Sequence, residues 1–202
     1  ASEDKTVKIW DVVSGLLLLN FTAHNDEVKK ATFSPDGKSV LSLDDSHVAK
    51  LWQVNGTVII DSLNSSDWIH FTAFMPDNKN LLVADGDTVF IKEINTDKIV
   101  ARFFTDFQYD YELSPDSKLL ATRNKEGYHV WDLQKGELLK KLSTKNILEQ
   151  FSFIAGNKAL LLWRPGHQAI LKPLNNNDRS LDKTLALLNS FGNIELLSLD
   201  QE

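Results

Sequence analysis

The residues able to do chemistry are scattered along this chain. Five histidines stand at positions 24, 47, 70, 129 and 167, and no two fall at an interval that sets two imidazoles on one metal ion. Asp85-Gly86-Asp87-Thr88 offers two calcium-like carboxylates, but Val89, Ile91 and Lys92 then spoil the later ligand places of a calcium loop. A hairpin turn explains that stretch better. Asp44 and Asp45, with Asp85 and Asp87, are the carboxylates a metal-dependent hydrolase would have to gather, and no shared pattern joins the two pairs. No serine sits in a Gly-x-Ser-x-Gly turn, and no glycine-rich loop precedes a Lys-Ser or Lys-Thr pair. Lys140, Lys141 and Lys145 form a basic cluster that reads as an exposed outer strand. With no cysteine, disulfides and thiolate metal sites are excluded. The expectation is a chain without catalytic residues, metal or cofactor.

The elements that would position these side chains are easier to read. A strand ending on one marked position returns about every forty residues: Val7-Lys8-Ile9-Trp10, Lys50-Leu51-Trp52, Phe90-Ile91-Lys92, His129-Val130-Trp131 and Ile170-Leu171-Lys172. The marked positions 10, 52, 92, 131 and 172 are 42, 40, 39 and 41 residues apart. A turn keeps the same register: Ser34-Pro35-Asp36-Gly37-Lys38, Met75-Pro76-Asp77-Asn78-Lys79, Ser114-Pro115-Asp116-Ser117-Lys118 and the weaker Ile154-Ala155-Gly156-Asn157-Lys158. A period near forty is the mark of a repeat architecture. Within one unit, Val28 to Phe33, Ser39 to Leu43, Val48 to Gln53 and Thr57 to Leu63 are short apolar segments. Pro35-Asp36-Gly37, Asp44-Asp45-Ser46 and Asn55-Gly56 separate them, which predicts a four-stranded antiparallel meander. Equivalent strands are expected at 69–75, 80–84, 88–94 and 98–104, then 108–113, 118–122, 128–133 and 137–142, then 148–154, 158–163 and 168–174. Trp163 departs from the pattern by falling in a second strand, where core packing is expected. One such sheet cannot cover both faces, so neighbouring sheets must stack, and radial stacking makes a propeller.

These residues resemble the WD-repeat (WD40) family of β-propellers over nearly the whole chain. The best-kept unit has Ala23-His24 where the family has Gly-His, then the Phe33 to Lys38 turn, and Lys50-Leu51-Trp52 closing the third strand. The fold class implied is all-β, a β-propeller of four-stranded antiparallel blades across residues 1–202. Blades are expected at 24–64, 65–105, 106–144 and 145–183, with half-blades at 1–23 and 184–202. The last would hold strands at 184–189 and 194–199. Either the half-blades join in a five-bladed ring, or this is part of a larger ring completed by further chain or another subunit. The resemblance also implies a hydrogen-bonded His, Ser or Thr, Asp and Trp in each blade. Asp4 and Trp10 match in the opening half-blade, His24, Ser42 and Trp52 in the first full unit, and Trp131 in the third. Ser46 stands in the aspartate place of the first full unit, with Asp45 adjacent. An acid–base site with His24 as base is the functional alternative. Pairing of buried polar groups is the expected role.

WD-repeat domains mostly hold protein or peptide partners, so a non-catalytic scaffold is the function implied. A sensor segment of a larger signalling ATPase or kinase is the alternative, and a metal-dependent propeller hydrolase the minor one. A net charge of −6 argues against a nucleic-acid partner. No apolar run approaches the roughly 18 residues of a membrane helix, and no leader is visible at the start. A cysteine-free chain fits a reducing, cytoplasmic setting. Asn20-Phe21-Thr22, Asn55-Gly56-Thr57 and Asn64-Ser65-Ser66 match glycosylation acceptors, a pattern common by chance. The residue before the first strand of each unit should lie near the upper rim. It is Glu27 in the first unit, then Trp68, Phe107 and Ile147. Three large apolar residues at one rim suggest a partner surface, with Asp67, Asp106 and Asp26 beside them. Capping of the blade cores is the competing expectation.

Overall fold

A computed structural model of the chain describes residues 1–60, 62–63, 68–96, 98–105, 108, 110–142, 150–154, 156–163 and 170–175. The Pro-Asp turns are built alike and set where strands begin. In the first, the Gly37 N–H donates to the Ser34 carbonyl at 2.9 Å, and the Ser34 hydroxyl donates to Asp36 Oδ1 at 2.6 Å. Asp36 Oδ1 also accepts from the Lys38 N–H. Ser114, Asp116, Ser117 and Lys118 repeat every one of these bonds. The residue before the lysine takes a left-handed conformation in all four copies: Gly37 at φ 70, Asn78 at 56, Ser117 at 54 and Asn157 at 66. Glycine and asparagine tolerate that geometry well, and Ser117 adopts it against its preference.

The strands between the turns are β1 (Val7–Trp10), β2 (Leu17–Phe21), β3 (Val28–Phe33), β4 (Ser39–Asp44), β5 (Ala49–Gln53) and β6 (Val58–Ile60). Then follow β7 (Ile69–Phe74), β8 (Asn80–Asp85), β9 (Thr88–Glu93), β10 (Ile99–Phe104), β11 (Asp110–Leu113), β12 (Leu119–Asn124), β13 (Gly127–Asp132) and β14 (Glu137–Leu142). Last come β15 (Gln150–Ile154), β16 (Ala159–Trp163) and β17 (Ile170–Pro173). All pairings are antiparallel, giving the four-stranded sheets β3-β4-β5-β6, β7-β8-β9-β10 and β11-β12-β13-β14. β1-β2 and β15-β16-β17 are shorter sheets. No helix occurs among the described residues. The fold is all-β, with sheets of propeller-blade topology. The strand expected at 57–63 is β6, which starts at Val58 because the Asn55-Gly56 turn draws in Thr57, whose carbonyl accepts from the Gln53 N–H. The strands expected at 184–189 and 194–199 lie outside the described residues.

The chain divides into two compact units, residues 1–108 and 109–202. In the first, Leu41, Leu43, Ala49 and Leu51 of one sheet pack on Ile69, Phe74, Leu81, Val83 and Phe90 of the next. Val7 and Phe21 of β1-β2 pack likewise on Val28, Val40 and Trp52. In the second, Ala121, Tyr128 and Val130 meet Phe151, Phe153, Leu160 and Leu162. Sheet therefore stacks on sheet, and inner strands are covered on both faces. β4 and β8 are buried along nearly all their length, while β6, β10 and β14 are largely exposed. This explains why apolar residues stand side by side in β4, β8 and β16 rather than alternating with polar ones. Each fully buried Leu, Ile or Val contributes about 1.5–3 kcal/mol, so the inner strands carry most of the stability.

Candidate functional site

Two constellations stand out in the first unit, one sealed and one open. The sealed one begins with β4, whose alternation sends Ser42 and Asp44 to one face, and with His24, placed by the segment between β2 and β3. His24 Nδ1 is 2.9 Å from Asp44 Oδ2 and Nε2 is 2.7 Å from Ser42 Oγ. A carboxylate can only accept, so Nδ1–H donates to Asp44 and Nε2 accepts the Ser42 hydroxyl proton. Trp52 Nε1–H points at the same Oγ from 3.4 Å, and Asp44 Oδ1 accepts from the Val48 N–H at 2.8 Å. The order Ser42–His24–Asp44 is that of a nucleophile, its base and an orienting carboxylate. No substrate can reach it: all four residues are buried, and Phe21 lies flat on Trp52 at 4.3 Å and edge-on to His24. The arrangement pairs buried polar groups and locks β4 to the loop before β3.

The aspartate of this network is Asp44, not the residue at the place that the repeat register assigns. Ser46 is exposed and its hydroxyl donates to Asp26 at 2.6 Å, while Asp45 is exposed beside Lys29 at 3.3 Å. The first-unit turn inserts an extra residue relative to 85–88, with His47 at φ 64, and this moves the carboxylate function back to the strand end. Asp4 and Trp10 do not join such a chain. Trp10 is 54% exposed, since among the described residues β1 pairs only with β2. Asp4 instead accepts from Thr6 and Lys8, and the Lys8 ammonium holds its carboxyl well below the usual range. Trp131 keeps the pairing expected of it in reduced form: its Nε1–H donates to Thr122 Oγ1 at 3.0 Å. Asn124, at the β12 position matching Asp44, accepts from the Glu126 N–H. In the second sheet Val83 and Lys92 stand where Ser42 and Trp52 stand in the first.

The open constellation centres on Trp68, which is 68% exposed. Its ring lies parallel to His47 at 5.1 Å and 9°, and its carbonyl accepts from the Gly86 N–H. Two turns thus grip it, 44–48 through the imidazole and 85–88 through the backbone. His47 Nδ1 is 2.9 Å from the Ile69 carbonyl, which fixes the proton on Nδ1. His70 stands edge-on to His47 at 5.2 Å. Burial pushes the His70 pKa down, the nearby His47 adds to this, and the Asp85 charge opposes it. Asp26 is held below the usual carboxylate range by the Ser46 hydroxyl and the Glu27 N–H. Phe107, Ile147, Asp67 and Asp106 lie outside the described residues. Capping of a blade core does not describe Trp68.

The other candidates separate in the same way. Among the described residues no three His, Asp or Glu side chains converge to hold a metal ion. Asp87 accepts from the Thr88 hydroxyl, and Asp85 is buried cross-strand from Ile69. Lys140 donates to the Pro173 and Leu174 carbonyls, so the basic cluster is partly a structural tie, and Lys145 lies outside the described residues. Sequence reasoning missed Asp44 and His47. The turn Asp44-Asp45-Ser46-His47-Val48, one residue longer than Asp85-Gly86-Asp87-Thr88, was the available signal for both.

Comparison with known proteins agrees with this picture. The family model "WD domain, G-beta repeat" matches residues 15–53. The chain is 36% identical over 93 residues to the WD repeat and SOCS box-containing protein 1 of Danio rerio, covering 44% of this chain and 22% of that protein. It is 30% identical over 105 residues to the small ribosomal subunit protein RACK1 of Neurospora crassa, covering 52% and 33%. With the MST50-interacting protein 11 of Pyricularia oryzae it shares 31% over 91 residues, covering 45% and 29%. The chain therefore spans about a fifth to a third of the length of these relatives.

Proposed function

Because the chain belongs to the WD-repeat family of β-propellers, we infer that it is a protein-interaction scaffold that performs no chemistry itself. One observation carries this reading: Trp68 presents an open indole face on a rigid support, with its other face against His47. A large aromatic held in place at the surface loses little entropy on binding, and tryptophan is among the residues enriched at interface hot spots. The catalytic-looking geometry found among the described residues of the first unit, Ser42–His24–Asp44, is closed to substrate. The partner is a protein or peptide, and Asp26 belongs to the contact surface. A net charge of −6 disfavours nucleic acid, and the cysteine-free composition supports a cytoplasmic setting.

The test is a photoreactive amino acid placed at position 68 of the full-length protein in its native cell. Illumination is expected to yield discrete covalent adducts with one or a few proteins. The same probe at Asp116, on a Pro-Asp turn, should yield none. Equal adduct patterns from both positions would defeat the reading.

A further inference from the structure

Trp68 and the turn 85–88 share more than an apolar surface. The turn holds the Trp68 carbonyl through Gly86 N–H, at 3.2 Å, and carries two carboxylates. Asp87 is exposed; its carboxylate accepts from the Thr88 hydroxyl, and its main-chain carbonyl accepts from the Thr105 N–H and hydroxyl. Asp85 is 6% exposed, faces Ile69 across the β7–β8 ladder, and keeps Oδ1 without a hydrogen-bond partner among the described residues. Neither is ion-paired with a described lysine or arginine. Lys29, on the other side of the 44–48 turn, is already matched by Glu27 and Asp45. The exposed Asp87 carboxylate therefore sits on the turn that holds Trp68, whose indole face is the negative end of its quadrupole. Both attract the same kind of group.

We propose that Trp68, with Asp87 and Asp85 beside it, receives a lysine or arginine side chain of a protein partner; this rests on the scaffold reading and names the chemistry of its contact. The cation lies over the open indole face, with Asp87 completing the ion pair. His47 is a positioning residue: its ring covers one face of the indole and leaves the other for the cation. Asp85, at the end of β8, stays buried.

The probe is a blocked Gly-Arg-Gly tripeptide titrated into the intact chain, followed by the amide signals of Gly86 and Asp87. The comparison peptide carries citrulline, which has the same shape and no charge. The arginine peptide should bind several-fold more tightly. An exposed cation–π contact amounts to about 0.5–1 kcal/mol, so Trp68→Leu should weaken it about two- to fivefold. Asp87→Asn should weaken it comparably, with the dependence on salt reduced. Equal titration by the two peptides, or an affinity unchanged in Trp68→Leu, would overturn the proposal. If position 68 still cross-links to a native partner in that event, only the cation chemistry falls and the scaffold reading stands.

Discussion

Replacing Asp44 by alanine removes the acceptor of two donors at once. His24 Nδ1–H sits 2.9 Å from the carboxylate with both side chains almost fully buried, and the half-buried Val48 N–H lies 2.8 Å from the other oxygen. A buried donor left without a partner costs about 1–3 kcal/mol, and here one buried imidazole N–H and one half-buried main-chain N–H lose theirs. The expected loss for Asp44→Ala is about 2–4 kcal/mol, a large share of the roughly 5–15 kcal/mol that a domain possesses. Asp44→Asn keeps one acceptor but turns an amide toward the second donor, and should lose about 1–3 kcal/mol. Ser46→Ala is the control, because the repeat register assigns the aspartate to that position. It removes one bond between exposed groups and should change stability by less than about 0.5 kcal/mol. Urea unfolding monitored by tryptophan fluorescence and extrapolated linearly to water measures all three. A loss below about 1 kcal/mol for Asp44→Ala, or a Ser46→Ala loss equal to it, would refute the reasoning.

Three further outcomes are expected. Ser117→Gly should stabilise the protein by about 0.5–1 kcal/mol in the same assay, since it relieves a left-handed serine at φ 54. Thr122→Val should cost about 1–2 kcal/mol, because it removes the Thr122 Oγ1 acceptor of the Trp131 indole N–H in a buried setting; a neutral result would show that the 3.0 Å bond contributes nothing. The turn carboxyls are depressed, Asp36 chiefly by the Ser34 hydroxyl; in Asp77 and Asp116 burial pushes the other way, and main-chain N–H groups, the Asn80 amide or Ser114 hydroxyl and the nearby lysine together outweigh it. Their contribution is complete above the unfolded value of about 3.9 and is lost as pH falls through the lower folded values. The urea midpoint should therefore drop below about pH 4, and replacing the three aspartates by asparagine should flatten that drop.

The repeat was legible because turn chemistry and strand period are local. Ser-Pro-Asp-Gly-Lys dictates its own hydrogen bonds, and the four left-handed positions fall on the residues that the turn alignment places there. Strand limits moved by at most three residues, most at β6, while β3 and β14 fall where expected. The site was less legible. Asp44 displaced Ser46 because any carboxylate in reach can satisfy a buried imidazole, and one inserted turn residue changes which carboxylate that is. Trp10 matched the repeat as well as Trp52 did, yet one is exposed and the other sealed. The difference is the set of strands packed on each, a property of neighbours rather than of the motif.

Trp68 and Trp10 are both exposed tryptophans, on different parts of the first unit, and this makes a direct comparison possible. The decisive measurement is the amount of protein partner retained by full-length Trp68→Ser and Trp10→Ser variants, quantified by mass spectrometry beside their thermal midpoints. Loss of partner in Trp68→Ser alone, with both midpoints near that of the parent, is the expected result. Equal retention by the two, or a collapse of the Trp68→Ser midpoint, would contradict a contact surface centred on that indole.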